Sequence, residues 1–151
     1  MGMSVALHAL AAVIWVGGMF FAYVAMRPAV VRVIGQDQRP ALWCQTLAGF
    51  FRWVWASILV LLATGYTLVA ASGGWGSVGW HVHLMHVLGL LMMLLFLHIW
   101  FAPFRRLKQA VANGDTDEGN RRVGQIRLFV AINLVIGLAV VVIGAGGRYW
   151  L

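Results

Sequence analysis

Five histidines and seven methionines stand in a chain that has only four carboxylates, so the side-chain chemistry on offer is imidazole and thioether chemistry. Three of the histidines and one methionine fall within Trp80-His81-Val82-His83-Leu84-Met85-His86. Thioether and imidazole suit Cu(I) and imidazole suits Cu(II), which makes His81, His83, Met85 and His86 candidate copper ligands, with His8 as a fifth. A second chemistry also fits: a b-type haem clamped by imidazoles from two different helices, His8 on one side and His83 or His86 on the other. One haem is then the limit. His98 lies deep enough for an inner site, but the facing level of the first apolar stretch offers Phe20, Phe21 and Tyr23, and no other apolar stretch holds a histidine. Hydrolytic chemistry is excluded, because Asp37, Asp115, Asp117 and Glu118 all lie in polar connections away from the histidines.

The elements that must position these residues are apolar. Hydrophobic residues make up 62% of the 151 positions and charged residues 10%, proportions from which a soluble domain cannot build its polar shell. An imidazole buried in such a chain is costly unless a metal, a partner or water satisfies it. Four stretches at about 5–26, 53–72, 81–102 and 128–147 each reach the roughly 20 residues that a ~30 Å hydrocarbon core requires. Arg27-Pro28 closes the first, the uncharged turn Gly73-Gly74-Trp75-Gly76-Ser77-Val78-Gly79 separates the second from the third, and Pro103 stops the third. Arg148-Tyr149-Trp150 reads as the interfacial end of the fourth. No basic region precedes the first stretch and charge follows it, which reads as a retained span rather than a cleaved signal peptide. A short amphipathic helix is expected at about 40–51. The fold expected is all-α: one domain over residues 1–151, a four-helix transmembrane bundle running up-down-up-down. Glycines at 17, 18, 65, 89, 137 and 144 would let the helices approach closely, and Asn133, on the face of Gly137, is expected to point inward.

Charge orients the bundle. Of eleven basic residues, four (Arg27, Arg32, Arg39, Arg52) lie in the first connection and six (Arg105, Arg106, Lys108, Arg121, Arg122, Arg127) in the third. The positive-inside rule then assigns both connections to the cytoplasm and both termini to the outside, with the histidine-rich turn on the outer face of a bacterial inner membrane. The net charge of +7 follows from this distribution and does not point to nucleic acid. The single cysteine, Cys44, excludes an intrachain disulfide and falls on the reducing side.

The first and third spans run in the same direction, so depth along them is comparable. His8 lies about three residues into its span and His86 about five into its own, a difference of only a few ångströms at about 1.5 Å per residue. His83 and His86, three apart, share a face, and His8 heads a stripe with Ala12, Trp15 and Met19. Plainer roles fit some of the same residues: His81 as a polar helix start, His98 as a partner of a neighbour or a lipid headgroup, and Met85, Met92 and Met93 as gap-fillers.

The stretch from Leu7 to Phe21, with His8, then Trp15, then Gly17-Gly18 and Phe20-Phe21, resembles the opening span of the copper-resistance D (CopD) membrane proteins. Thr64-Gly65 in the second span, a Gly-Trp turn and a third span closing on basic residues are similar too. The same opening also resembles the HemJ-type protoporphyrinogen oxidases, four-span relatives associated with haem b. The CopD resemblance implies copper passage at an inner membrane; the HemJ resemblance implies a haem-bearing oxidoreductase. His8 matches the first-span histidine of both groups. A HemJ-type protein would carry a lysine soon after the turn, where this chain has Leu84 and Met85, and that departure favours copper. The expectation is therefore a CopD-like protein that binds or transports copper through its outer histidines. A single-haem cytochrome or oxidoreductase is the alternative, and a non-catalytic accessory subunit the third reading. The expected partners are the lipid bilayer and a periplasmic copper carrier or respiratory protein.

Overall fold

The computed structural model describes residues 1–150, apart from the side chain of Arg148, so the interfacial role expected of that residue lies outside the described residues. All regular structure among them is helical: α1 (Gly2–Phe20), a π-helical segment (Phe21–Met26), α2 (Arg27–Val33), α3 (Arg39–Ala71), α4 (Trp80–Phe101), α5 (Pro103–Ala112), α6 (Thr116–Gly146) and a final 3-10 turn (Gly147–Tyr149). Four helical stretches are long and apolar enough to cross a membrane. The chain is an all-α membrane bundle, as its composition requires.

Local chemistry explains where the helices bend and stop. Pro28 has no N–H to donate to the carbonyl of Val24, and its ring crowds that turn. The helix accommodates it by widening just before it, where the Arg27 N–H reaches back five residues to the Ala22 carbonyl. Pro103 acts more sharply. It opens α5 after Ala102 has left the helical region (φ −111°, ψ −87°), and α5 folds against α6 and α3. Gly73 and Gly74 take φ of +92° and +88° in the turn before α4, a conformation that glycine adopts without the Cβ clash of other residues. Asp115 caps α6 by accepting a hydrogen bond from the Glu118 N–H at 3.0 Å.

Two expectations change. Arg27-Pro28 does not end the first helix, which widens before Pro28 and runs on through α2 to Val33. The amphipathic helix foreseen at 40–51 is not separate from the second span; α3 runs unbroken for 33 residues, about 50 Å at 1.5 Å per residue. No glycine–proline break follows Arg52, and the apolar face continues through Leu47, Phe51, Val54 and Ile58, so nothing interrupts the helix where the membrane span begins.

Neighbouring helices run antiparallel. α1 packs along α3 and α6, α4 packs along α6, and aromatic rings join α4 to both α3 and α1. Phe51, Phe96 and Phe104 are buried, with Phe51 edge-to-face on Phe96 at 5.3 Å and on Phe104 at 4.9 Å. Lipid tails are as apolar as leucine, so van der Waals fit of this kind, rather than burial from water, holds membrane helices together. Close approach occurs where glycine allows it: a methyl group at Gly137 would sit 2.9 Å from Val16 Cγ2 and 3.0 Å from Met92 Cε. Gly17 and Gly89, in contrast, face open space. Asn133 points inward as expected and is 1% exposed.

Packing is uneven along the bundle. Within α1 the buried residues begin at Ala11, within α4 they begin at Met92, and within α6 none follows Gly137. Among the described residues, Thr64 and Val69 on α3 and Gly147 are buried toward the other end. The bundle is therefore tightly packed at its basic end and open at the end that carries the histidines.

Candidate functional site

The histidine-bearing end of α4 divides into two faces. Residues three or four apart on a helix lie together, and residues two apart do not. His83 and His86 turn toward the Gly-rich turn and α3. Trp75 lies between them, its ring 5.6 Å from that of His83 and 4.7 Å from that of His86. Tyr66 on α3 lies edge-on to His86 at 5.6 Å and to Trp75 at 6.2 Å. These four residues and Val87 line an open cleft of about 400 Å³. The cleft exists because the helices do not close on one another at this end.

His81 and Met85, four apart, turn the other way. A methyl group at Gly147 would meet His81 Cβ and Cγ at 2.5 and 2.9 Å, and one at Gly144 would meet Met85 Cε at 2.9 Å. Both side chains thus pack on the end of α6, away from the cleft. His98, near the basic end of α4, is exposed and lies edge-on to Phe129 at 4.7 Å.

His8 occupies a third position, against the α1-facing side of α3. Its Nδ1 lies 2.8 Å from Thr64 Oγ1, and its ring rests on Gly65, where a methyl group would touch Cε1 at 3.4 Å. The Thr64 hydroxyl has one proton, and that proton is committed to the Val60 carbonyl at 2.6 Å. Thr64 therefore accepts from His8, the Nδ1–H donates, and the Nε2 of His8 keeps its lone pair. This is the tautomer that a ligating imidazole needs, fixed by the kind of outer hydrogen bond that usually accompanies metal-bound histidine.

The five candidate ligands thus fall into three places: His83 with His86, His81 with Met85, and His8 alone. Among the described residues no group of three or more histidine, cysteine or acidic side chains is arranged to hold a metal ion. His8 and His86 nevertheless reach consecutive residues of α3, Thr64–Gly65 and Tyr66, from its two sides. Thr64, Tyr66 and Trp75 were not foreseen as parts of a site. Trp75, an aromatic in an otherwise small and uncharged turn, was the available signal, and Thr64 only gains meaning once His8 is seen beside it.

The donor chemistry is selective. The cleft offers imidazole nitrogens and no carboxylate, since all four acids stand in the connections at the other end. Hard cations such as calcium and magnesium require oxygen ligands, whereas copper accepts imidazole. A sequence family described as copper resistance protein D (CopD) matches residues 44–146, more than half of the chain. The chain belongs to the CopD family. The CopD match takes in α3 from Cys44 onward, the cleft with His83 and His86, and nearly all of α6. It begins after α1, so the opening span with its His8 motif lies outside the matched range. No curated protein and no solved structure gives a match. Family and fold together make this a membrane protein related to copper resistance.

Proposed function

We propose that this CopD protein binds copper at the open end of its bundle, as cargo taken up from or delivered to the outer face of a bacterial inner membrane. The observation that carries the reading is the pairing of His83 and His86 on one face of α4, both against Trp75, in a cleft with imidazole donors and no carboxylate. The two imidazoles anchor the ion, and the rings of Trp75 and Tyr66 pack beside them and hold them in place. His8, held by Thr64 with Nε2 free, supplies a third imidazole when the outer ends of the helices draw together. Few buried contacts at that end oppose the movement. His81 and Met85 pack on α6 and serve as a secondary pair.

Copper titration of the purified protein tests this, with Trp75 as a built-in reporter: an ion on His86 quenches the neighbouring indole, and a Trp75→Phe variant removes that quenching. Saturation without quenching of Trp75 contradicts the assignment.

A haem reading stands second, because His8 and His86 come from different helices and lie at similar depth, each against residues 64–66 of α3. There His8 and His86 would hold the iron, and the group would supply one-electron chemistry. A Soret band abolished by His8→Ala and by His86→Ala alike would replace the copper reading. An accessory role without either ligand predicts neither copper nor a Soret band.

A further inference from the structure

A second cavity, of about 260 Å³, lies at the opposite, basic end, between the π-helical segment with α2, the start of α3 and the first half of α6. Three arginines line it, Arg27, Arg39 and Arg127, together with Tyr23, Trp43 and Asn120, and no carboxylate does. Two carboxylates lie within two residues of the lining: Glu118 is taken by Arg121 and Arg122, and Asp37, two before Arg39, turns its carboxylate toward Gly35. Arg39 is partly committed, since its Nε and Nη2 donate to the carbonyls of Ile34 and Val31 at 2.9 and 2.8 Å. Arg27 stacks over the Tyr23 ring at 5.3 Å, which leaves its N–H edge free to donate. The remaining wall is apolar, from Ala22 and Leu47 to Val130.

The geometry points to a binding site for the phosphate headgroup of an anionic phospholipid. Arg27 and Arg127 each stand at the boundary between an apolar span and a basic connection, the depth at which lipid phosphates lie. Arginine's planar fork suits phosphate better than any other cationic side chain. Beside the cavity, Val24, Val31 and Leu128 are more than half exposed and apolar, a surface along which acyl chains can lie. The wall that carries Ala22 and Tyr23 is the widened π-helical segment, so the distortion forced by Pro28 also shapes the cavity. General attraction of basic loops to an anionic leaflet would need none of this, because it acts on exposed arginines wherever they stand. The site is distinct from the copper cleft and does not depend on the copper reading.

The test is native mass spectrometry of the full chain released from nanodiscs of equal phosphatidylglycerol and phosphatidylcholine. The expected result is retention of phosphatidylglycerol in preference to phosphatidylcholine, reduced about thirtyfold in Arg27→Gln/Arg127→Gln. Arg105→Gln/Arg106→Gln, on the exposed side of α5, should leave it unchanged. In parallel, thermal unfolding of the unaltered protein should shift upward with phosphatidylglycerol, which keeps the test valid if the double variant folds poorly. Equal retention of the two lipids, equal loss in both double variants, or the same thermal shift from inorganic phosphate alone would overturn the assignment.

Discussion

His8 donates its Nδ1 proton to Thr64 across 2.8 Å, and that single bond ties the first span to the second at the open end of the bundle while leaving Nε2 available. Thr64→Val keeps the shape and removes the acceptor. The expected outcome is a copper affinity lowered about tenfold to a hundredfold, as when an outer partner of a ligating histidine is lost, with recovery in Thr64→Ser. Competition against a colorimetric Cu(I) chelator measures it.

The two faces of α4 predict unequal effects. His83→Ala and His86→Ala should each weaken copper binding by about tenfold or more, whereas His81→Ala and Met85→Ala, which pack on Gly147 and Gly144, should change it by less than about threefold. Equal losses at all four positions, read in the same competition assay, would restore the single cluster that the sequence suggests.

Close approach of α1, α4 and α6 rests on Gly137. Gly137→Val places atoms where Val16 and Met92 already stand, and should destabilise the protein by about 1–3 kcal/mol. Gly89→Ala, which meets nothing within 4 Å, should cost nothing measurable. Thermal unfolding in detergent compares the two.

Asn133 is buried with its Nδ2 donating to the Met92 carbonyl at 3.3 Å and its Oδ1 without a partner. An orphaned buried acceptor costs about 1–3 kcal/mol, so Asn133→Val, apolar and only slightly larger, should leave thermal stability unchanged or raise it. A loss of more than about 2 kcal/mol would mean that Oδ1 is held in the native protein, by water or by passing cargo.

The placement of ten basic residues in two connections predicts that both face the cytoplasm. Cys44, half-buried near the start of α3, should react in intact cells with a membrane-permeant thiol reagent and not with an impermeant one. Labelling by the impermeant reagent would invert the topology.

Much of the fold was legible in the sequence because apolar length, proline and charge are strong local signals. Pro103 and the Gly-rich turn end their helices where expected, and Asn133 points inward as its spacing with Gly137 implied. What was not legible depends on contacts between helices. The continuity of α3 past Arg52 is set by a core face that only becomes visible when Phe51 is found against Phe96 and Phe104. The widening at Phe21–Met26 is a response to Pro28, which the sequence signals only as the end of a span. At the site, His81, His83, Met85 and His86 look like one cluster along the chain. Helical rotation of about 100° per residue separates them into two pairs, and that much the spacing alone carried. The partnership of His8 with Thr64 and the walls of Trp75 and Tyr66 needed the fold.

The central claim is that His83 and His86 form the primary copper site of this CopD protein. Its most direct test is the copper stoichiometry and affinity of the purified protein beside a His83→Ala/His86→Ala double variant, with His81→Ala/Met85→Ala as the matched control. The account predicts one tightly held copper per chain in the unaltered protein and in the control, no Soret band in any of them, and loss of the tight site in the double variant. Undiminished copper affinity without His83 and His86 would contradict it.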